Sequence, residues 1–535
     1  HARTFERRCT ATASFLFVRG EGRCLQATSV RIPSRFPVCT PIMTESPAST
    51  ESPNLLLRAL HRLLNLSSDV KRDEAVDTVL FLLNLFLVLV AYYIIKTVRE
   101  PLILASGGAE MKSYAAAFQA TVLVAYVPLY GWVTNRLSRM TLNASLVLFF
   151  VACIQAFFIA GFFEMPNVFG LASGTPEGAL GWLAANINLG FIFYIWVGIF
   201  SLSVIAQFWS YANDVYDEDT GKRLFPVIAV GATAGAPVGS ALAAYLFDSG
   251  IGPYVMLQVS AGLLLVHLGL YWFLEQRLQR ARAAQPASDR PTTSHSPDTE
   301  DSESVNTQGG FGLILQNRYL WWIALFFVML NLVNTTGEYI LSTLVEDAAR
   351  AAVAAGNAAS METYIGSFYG NFFSVVNVAA VLVQVFVVSR LLKWFGMRGM
   401  IFALPIVALG TYGLAAFGVG LAAFRWVKTA ENSTDYSVMN TTRALVWLPT
   451  TRAEKYAAKQ TIDTFFVRVG DVLSAGLVFA GTQWLQFHAQ QFAFANLVLV
   501  GLWMGVGGLV LRAFWRRSEE QDLSADEIEA EARSA

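Results

Sequence analysis

Long apolar runs alternate with short polar breaks along most of this chain. A membrane-spanning helix needs about 20 mostly apolar residues, and runs of that kind fall near 76–104, 114–133, 141–163, 187–211, 225–247 and 254–274. After Glu275 the sequence turns to "RLQRARAAQPASDRPTTSHSPDTEDSESVNTQGG", rich in Ser, Thr, Pro and charge and too polar to bury a core. A second set of runs follows near 319–345, 364–389, 398–419, 424–449, 461–484 and 491–513, and the tail from Arg516 is acidic and polar. Two equal sets about a central linker predict an all-α integral membrane protein. About twelve transmembrane helices would form two six-helix halves related by a pseudo-two-fold axis, the plan of many secondary transporters.

Residues 1–42 are Arg-rich without periodicity, and Met43 opens a plausible protein, "MTESPAST", so 1–42 are read as an upstream or non-native segment. The alternative is a targeting peptide, but "SFLFV" is short for an apolar signal core. Residues 43–75 form an N-terminal segment in which "LLLRALHRLLNL" is either an amphipathic surface helix or a plain helical lead-in. Then come the first half (76–274), a disordered linker (275–318), the second half (319–515) and a tail (516–535).

Composition agrees with the pattern. Of the 535 residues, 55% are hydrophobic and only 14% are charged, with mean hydropathy +0.47, against about a quarter charged in soluble domains. The main partner is therefore the lipid bilayer. A net charge of −1 is unlike the basic balance of nucleic-acid binders, so no nucleic acid is expected. Cys9, Cys24 and Cys39 lie in the first stretch and Cys153 alone in the body, which rules out a disulfide framework or a cysteine-based metal site there. No metal or cofactor is expected. HExxH, paired catalytic carboxylates and a nucleophile elbow do not occur, so nothing suggests an enzyme.

Lys and Arg in short loops set orientation. Arg136, Arg139, Lys222, Arg223, the linker arginines, Arg390, Lys393, Arg398, Arg452, Lys455 and Lys459 fall on one side, with Lys112 and Arg350 on the other. Both termini and the linker are then cytoplasmic, in a cell (inner) membrane.

Several charges sit inside apolar runs. "YYIIKTVREPLIL" places Lys96, Arg99 and Glu100 in the first span. A charge at mid-span costs roughly 2.5–3.5 kcal/mol, while each Leu, Ile, Val or Phe returns only about 0.3–0.6 kcal/mol. Either the three line a wet cavity, with Pro101 breaking the helix beside them, or the span stops at Ile95 and they snorkel at the surface. The second option strands "PLIL" as an orphan apolar tail. "NTTGEYIL" partly echoes this break in the second half, with Asn334 in the interruption and Glu338 over Glu100. Such corresponding breaks point to a binding site between halves.

The span 424–449 carries Lys428, Glu431, Asp435, Tyr436, Asn440 and Arg443 at three- to five-residue steps, so several share one helical face. That stripe lines a pathway or forms a structural network. Arg468 and Asp471 stand three apart and can pair. Gly231, Gly235 and Gly239 fall every fourth residue, the signature of close helix packing rather than of a phosphate loop, since no Gly-Lys-Ser/Thr ending follows. His267 reads as a satisfied interior histidine.

Some stretches resemble known families. "GWVTNRLSR" after the second span and "SRLLKWFGMR" after the eighth look like the loop pattern of the major facilitator superfamily. "FWSYANDVYDEDTGKRLFPVIAVGATAG" (Phe208 to Gly235) and "DYSVMNTTRALVWLPTTRAEKYAAKQTIDTFFVRVGD" resemble the ATP/ADP translocases of plastids and energy-parasitic bacteria, a likeness covering roughly 76–515. The resemblance implies a twelve-helix major-facilitator-type fold and exchange of ATP for ADP, with intramembrane basic residues meeting the phosphates. Arg99 stands where the family's first helix has a functional lysine, and Arg443 at a basic position of the tenth. The chain departs from the family at Val197 and Asn334, where acids are expected, and at Asp435 and Asp471, where lysines are usual.

The expected function is an ATP/ADP-type nucleotide antiporter working by alternating access, with the cargo another anion if not a nucleotide. The alternative is a proton-coupled carrier of a less charged solute, using Glu100, Glu338, Asp435 and Asp471; a non-transporting scaffold is a third reading. The candidate substrate-binding residues are Lys96, Arg99, Glu100, Asn334, Glu338, Asp435, Tyr436, Asn440, Arg443, Arg468 and Asp471. A monomer suffices for this scheme.

Overall fold

Backbone polar groups in hydrocarbon can be satisfied only inside helices or closed barrels. In the computed structural model the apolar runs have all become helices, with no strand among the described residues. These are residues 70–71, 74–134, 136–163, 187–284, 307–451 and 454–534. The 1–42 segment, the "LLLRALHRLLNL" stretch and the middle of the linker lie outside them.

In chain order the helices are α1 Ala75–Thr134, α2 Arg139–Phe162, α3 Leu189–Val215, α4 Glu218–Asp248, α5 Pro253–Ala284, α6 Thr307–Gln316, α7 Arg318–Ala354, α8 Met361–Val383, α9 Ser389–Ala416, α10 Leu421–Thr434, α11 Asn440–Leu445, α12 Glu454–Trp484 and α13 Ala489–Ser534. Helix therefore occupies both ends of the segment assigned to the linker, and most of that assigned to the tail.

Among the described residues, nine helical stretches are long and apolar enough to cross a bilayer. Two of them are pairs joined at a glycine. Gly108 inside α1 has φ 74° and ψ −177°, and Gly396 inside α9 has φ 59° and ψ −151°, conformations that only glycine adopts without strain. Each pair supplies two crossings. The α10–α11 run, too polar to qualify by composition, supplies the last of the twelve. The break expected at Pro101 is a correction: α1 runs through this buried proline and turns at Gly108. Proline removes one donor from a long packed helix, which neighbouring helices can compensate, whereas Gly108 permits a backbone reversal.

The small-residue stripe packs α4 against α1. A Cβ at Gly235 would lie 2.8 Å from the Phe86 carbonyl oxygen, and one at Gly239 2.7 Å from that of Val90, so the backbones meet where side chains are absent. His267 is buried and hydrogen-bonded to Asn84, the satisfied interior histidine expected.

The helices alternate in direction, so Ala75, Glu218, Arg318 and Glu454 lie at one end of the bundle, here the near end, and Gly108, Asp248, Met361 and Gly418 at the far end. Among the described residues, the polar contacts joining the two halves fall at the middle and the far end. The Glu346 carboxylate accepts the Ala109 N–H at 2.9 Å, Ser367 donates to Asp248 at 2.5 Å, Gln483 donates to Glu110 at 3.3 Å and Tyr93 donates to Asn377 at 3.1 Å. Apolar packing seals the same end: Gly366 of α8 rests on Phe247, and Gly370 on the Ala244 backbone.

Candidate functional site

The reversal at Gly108 folds the second part of α1 back on the first. Lys112 thereby reaches Glu100, twelve positions earlier, with Nζ 2.7 Å from Oε2. The other oxygen, Oε1, takes the Arg99 guanidinium at 3.0 Å from Nε and 2.5 Å from Nη2. Glu100 is fully buried, a position open to a carboxylate only when it is paired and hydrogen-bonded.

The chain of charge crosses into the second half. Lys112 donates to Ser342 at 2.9 Å and lies 4.0 Å from Glu338 Oε2. Glu338 Oε1 is 3.7 Å from Lys428 Nζ and accepts from Asn432 at 3.1 Å. Lys428, wholly buried, also meets Glu431 at 3.1 Å, the Asn334 amide oxygen at 3.2 Å and Tyr412 at 3.3 Å. Tyr412 closes the chain by donating to Glu431 at 2.6 Å. Arg99, Glu100, Lys112, Glu338, Lys428 and Glu431 thus alternate in sign from one half to the other, and each member lowers the desolvation cost of its neighbours.

This chain walls a cavity of about 180 Å³ between the halves. Of the candidate residues, Lys96, Arg99, Asn334, Glu338, Tyr436 and Asp471 line it, joined by Lys112 and Tyr194. The Arg99 guanidinium stacks 4.3 Å from the Tyr194 ring centroid. Lys96 Nζ sits 4.5 Å from the Phe373 ring centroid, 5.2 Å from that of Tyr93 and 3.5 Å from the Tyr436 hydroxyl. No carboxylate pairs with it among the described residues. Asp471 is held by Asn331 at 2.7 Å and Thr335 at 2.8 Å.

A larger space of about 810 Å³ is lined by Asp435, Tyr436, Asn440 and Arg443. It lies toward the near end, and Tyr436 borders both volumes. A π-helical turn over Asp435–Met439 separates α10 from α11 at this point, an insertion frequent at functional sites. Arg443 faces the Phe327 ring at 5.0 Å in this second space, so the geometry does not bring it to the Arg99 cluster. Glu100 lies behind the cavity wall. Arg468 pairs with Asp471 at 3.4 Å and lines neither volume, because the i, i+3 pairing turns it aside.

Lys112, which the charge pattern along the chain places on the outer side, is 6% exposed at the centre of the site. The Gly107-Gly108 pair just before it, followed by renewed apolar periodicity, was the available signal. Lys428 and Glu431, members of the polar stripe but not of the candidate set, also belong to the charge chain.

A membrane bundle of two six-helix halves, with a polar cavity on their boundary and one end sealed, defines a multi-pass transporter of the major facilitator type. Solved structures of that architecture match most of the chain. A bacterial homologue of the iron transporter ferroportin in an inward-facing state is 15% identical, with TM-score 0.56, covering 81% of this chain and 98% of that one. The nucleoside transporter NupG is 14% identical, with TM-score 0.51, covering 82% and 99%. At such identities the likeness concerns the fold alone. The family is given by the match of residues 65–425 to the TLC ATP/ADP transporter model: the chain belongs to that family. Among curated relatives, ADP,ATP carrier protein 1 of Chlamydia trachomatis is 22% identical over 391 residues, covering 65% of this chain and 70% of the relative.

Proposed function

We propose that this carrier exchanges ATP and ADP across the membrane, the nucleotide binding in the central cavity while the two halves rock around it. The observation that carries the reading is the charge of the cavity wall. Lys96, Arg99 and Lys112 face it against two carboxylates, Glu338 and Asp471, and among the described residues no carboxylate pairs with Lys96. An ammonium group without an anion beside a wet cavity is a natural phosphate partner. Lys96 and Arg99 are the proposed phosphate contacts, with Tyr194 and Tyr436 framing the remainder of the cargo.

The acids at Asp435 and Asp471, where the family usually has lysines, do not reverse the balance. Asp471 is paired with Arg468, and Asp435 borders the other space, near Arg443. The proposed orientation puts the termini and the near end in the cytoplasm, in a cell inner membrane, so the structure represents a cytoplasm-open state. One chain contains the whole cavity, so a monomer suffices.

Purified carrier in proteoliposomes tests the proposal. Internal ADP is expected to accelerate uptake of labelled ATP, with a smaller effect from phosphate alone. Uptake indifferent to internal nucleotide but driven by a pH gradient would replace exchange with the proton-coupled alternative.

A further inference from the structure

Glu338 differs from the other carboxylates of the charge chain. Glu100 and Glu431 are sealed, with side chains 1% and 4% exposed, whereas Glu338 is 26% exposed and faces the cavity. It is also held more loosely. Its lysine partners lie at 3.7 and 4.0 Å, while the same lysines reach Glu431 at 3.1 Å and Glu100 at 2.7 Å. Each lysine therefore keeps a tighter carboxylate if Glu338 leaves, and neither is stranded as a bare buried charge. The arrangement also spans the boundary: Lys112 belongs to the first half, Glu338 and Lys428 to the second.

We propose that Glu338 is a built-in counter-anion, occupying in the empty carrier the place between Lys112 and Lys428 that an anionic group of the cargo takes when it binds. Its contact with Lys112 ties the halves together near the sealed far end, so the empty carrier does not reorient. Cargo displaces Glu338, contacts both lysines and releases the tie. Exchange becomes obligatory because only a loaded cavity frees the halves. Lys112 and Lys428 are then part of the anion site, and Glu338 is a positioning residue that couples occupancy to movement. The inference rests on the exchange reading above and adds its cause.

The competing internal anion also lowers apparent affinity by the fraction of time it fills the site. Glu338→Gln should accordingly bind ATP about tenfold more tightly. Its uptake into empty vesicles should rise toward the rate with ADP-loaded vesicles, so that the stimulation by internal nucleotide disappears. Glu338→Asp keeps the charge but is too short to reach both lysines, and should give a partial loss of stimulation; it decides the matter if the glutamine variant does not fold. Glu338 variants that transport with undiminished stimulation overturn the counter-anion while leaving nucleotide exchange intact. Wild-type carrier without stimulation by any internal nucleotide overturns the exchange reading and this inference with it.

Discussion

Replacing Glu100 by glutamine removes the carboxylate on which two cations converge, the partly buried Arg99 at 2.5 Å and the buried Lys112 at 2.7 Å. At an effective dielectric of about 20, a unit pair 2.7 Å apart attracts by about 6 kcal/mol before desolvation is subtracted. Removing one partner of a buried pair costs about 3–5 kcal/mol, because the remaining charge stays out of water. Glu100→Gln should therefore lower the apparent melting temperature of the purified carrier by roughly 6–20 °C, at about 2–4 °C per kcal/mol for a bundle the size of one half. Lys112→Met should be milder, within the roughly 0.5–3 kcal/mol ordinary for point mutants, since Arg99 still donates to Glu100 through two N–H groups. The double variant should fall short of the sum of the singles, because the lysine stranded by the first change is gone in the second. Thermal unfolding at a fixed scan rate, in one detergent and salt, measures all three. A glutamine variant no less stable than Lys112→Met, or a double variant additive to within about 0.5 kcal/mol, would refute the pairing.

Lys96→Met should weaken ATP binding by about 10- to 100-fold, the worth of one charge-assisted hydrogen bond, with melting temperature nearly unchanged because no carboxylate is stranded. Calorimetric titration with ATP reads the affinity, and an unaltered value removes Lys96 from the phosphate site. Gly235→Val would drive a side chain into the α1 backbone at Phe86, an overpacking of about 1–3 kcal/mol or more. It should sharply reduce the yield of monodisperse protein, while Gly262→Ala, which faces open space, should not.

Membrane architecture was legible from local composition because the hydrocarbon imposes a local rule: a segment of sufficient length and low polarity becomes a spanning helix wherever it occurs. Twelve crossings, their division into halves and the helix packing at Gly231, Gly235 and Gly239 follow from that rule. So does the singling out of Lys96, Arg99, Glu100 and Glu338, whose charges are costly in lipid. Which charge answers which is not a local property. Glu338 meets a lysine from each half, and Lys96 touches Tyr436 across 340 positions. Lys112 enters the site only through the turn at Gly108, while Arg443, on a plausible stripe, borders a different space. Coulomb attraction falls with distance in three dimensions, so the segments that enter the membrane could be read along the chain, whereas the pairing of their charges was decided only when the two halves closed against each other.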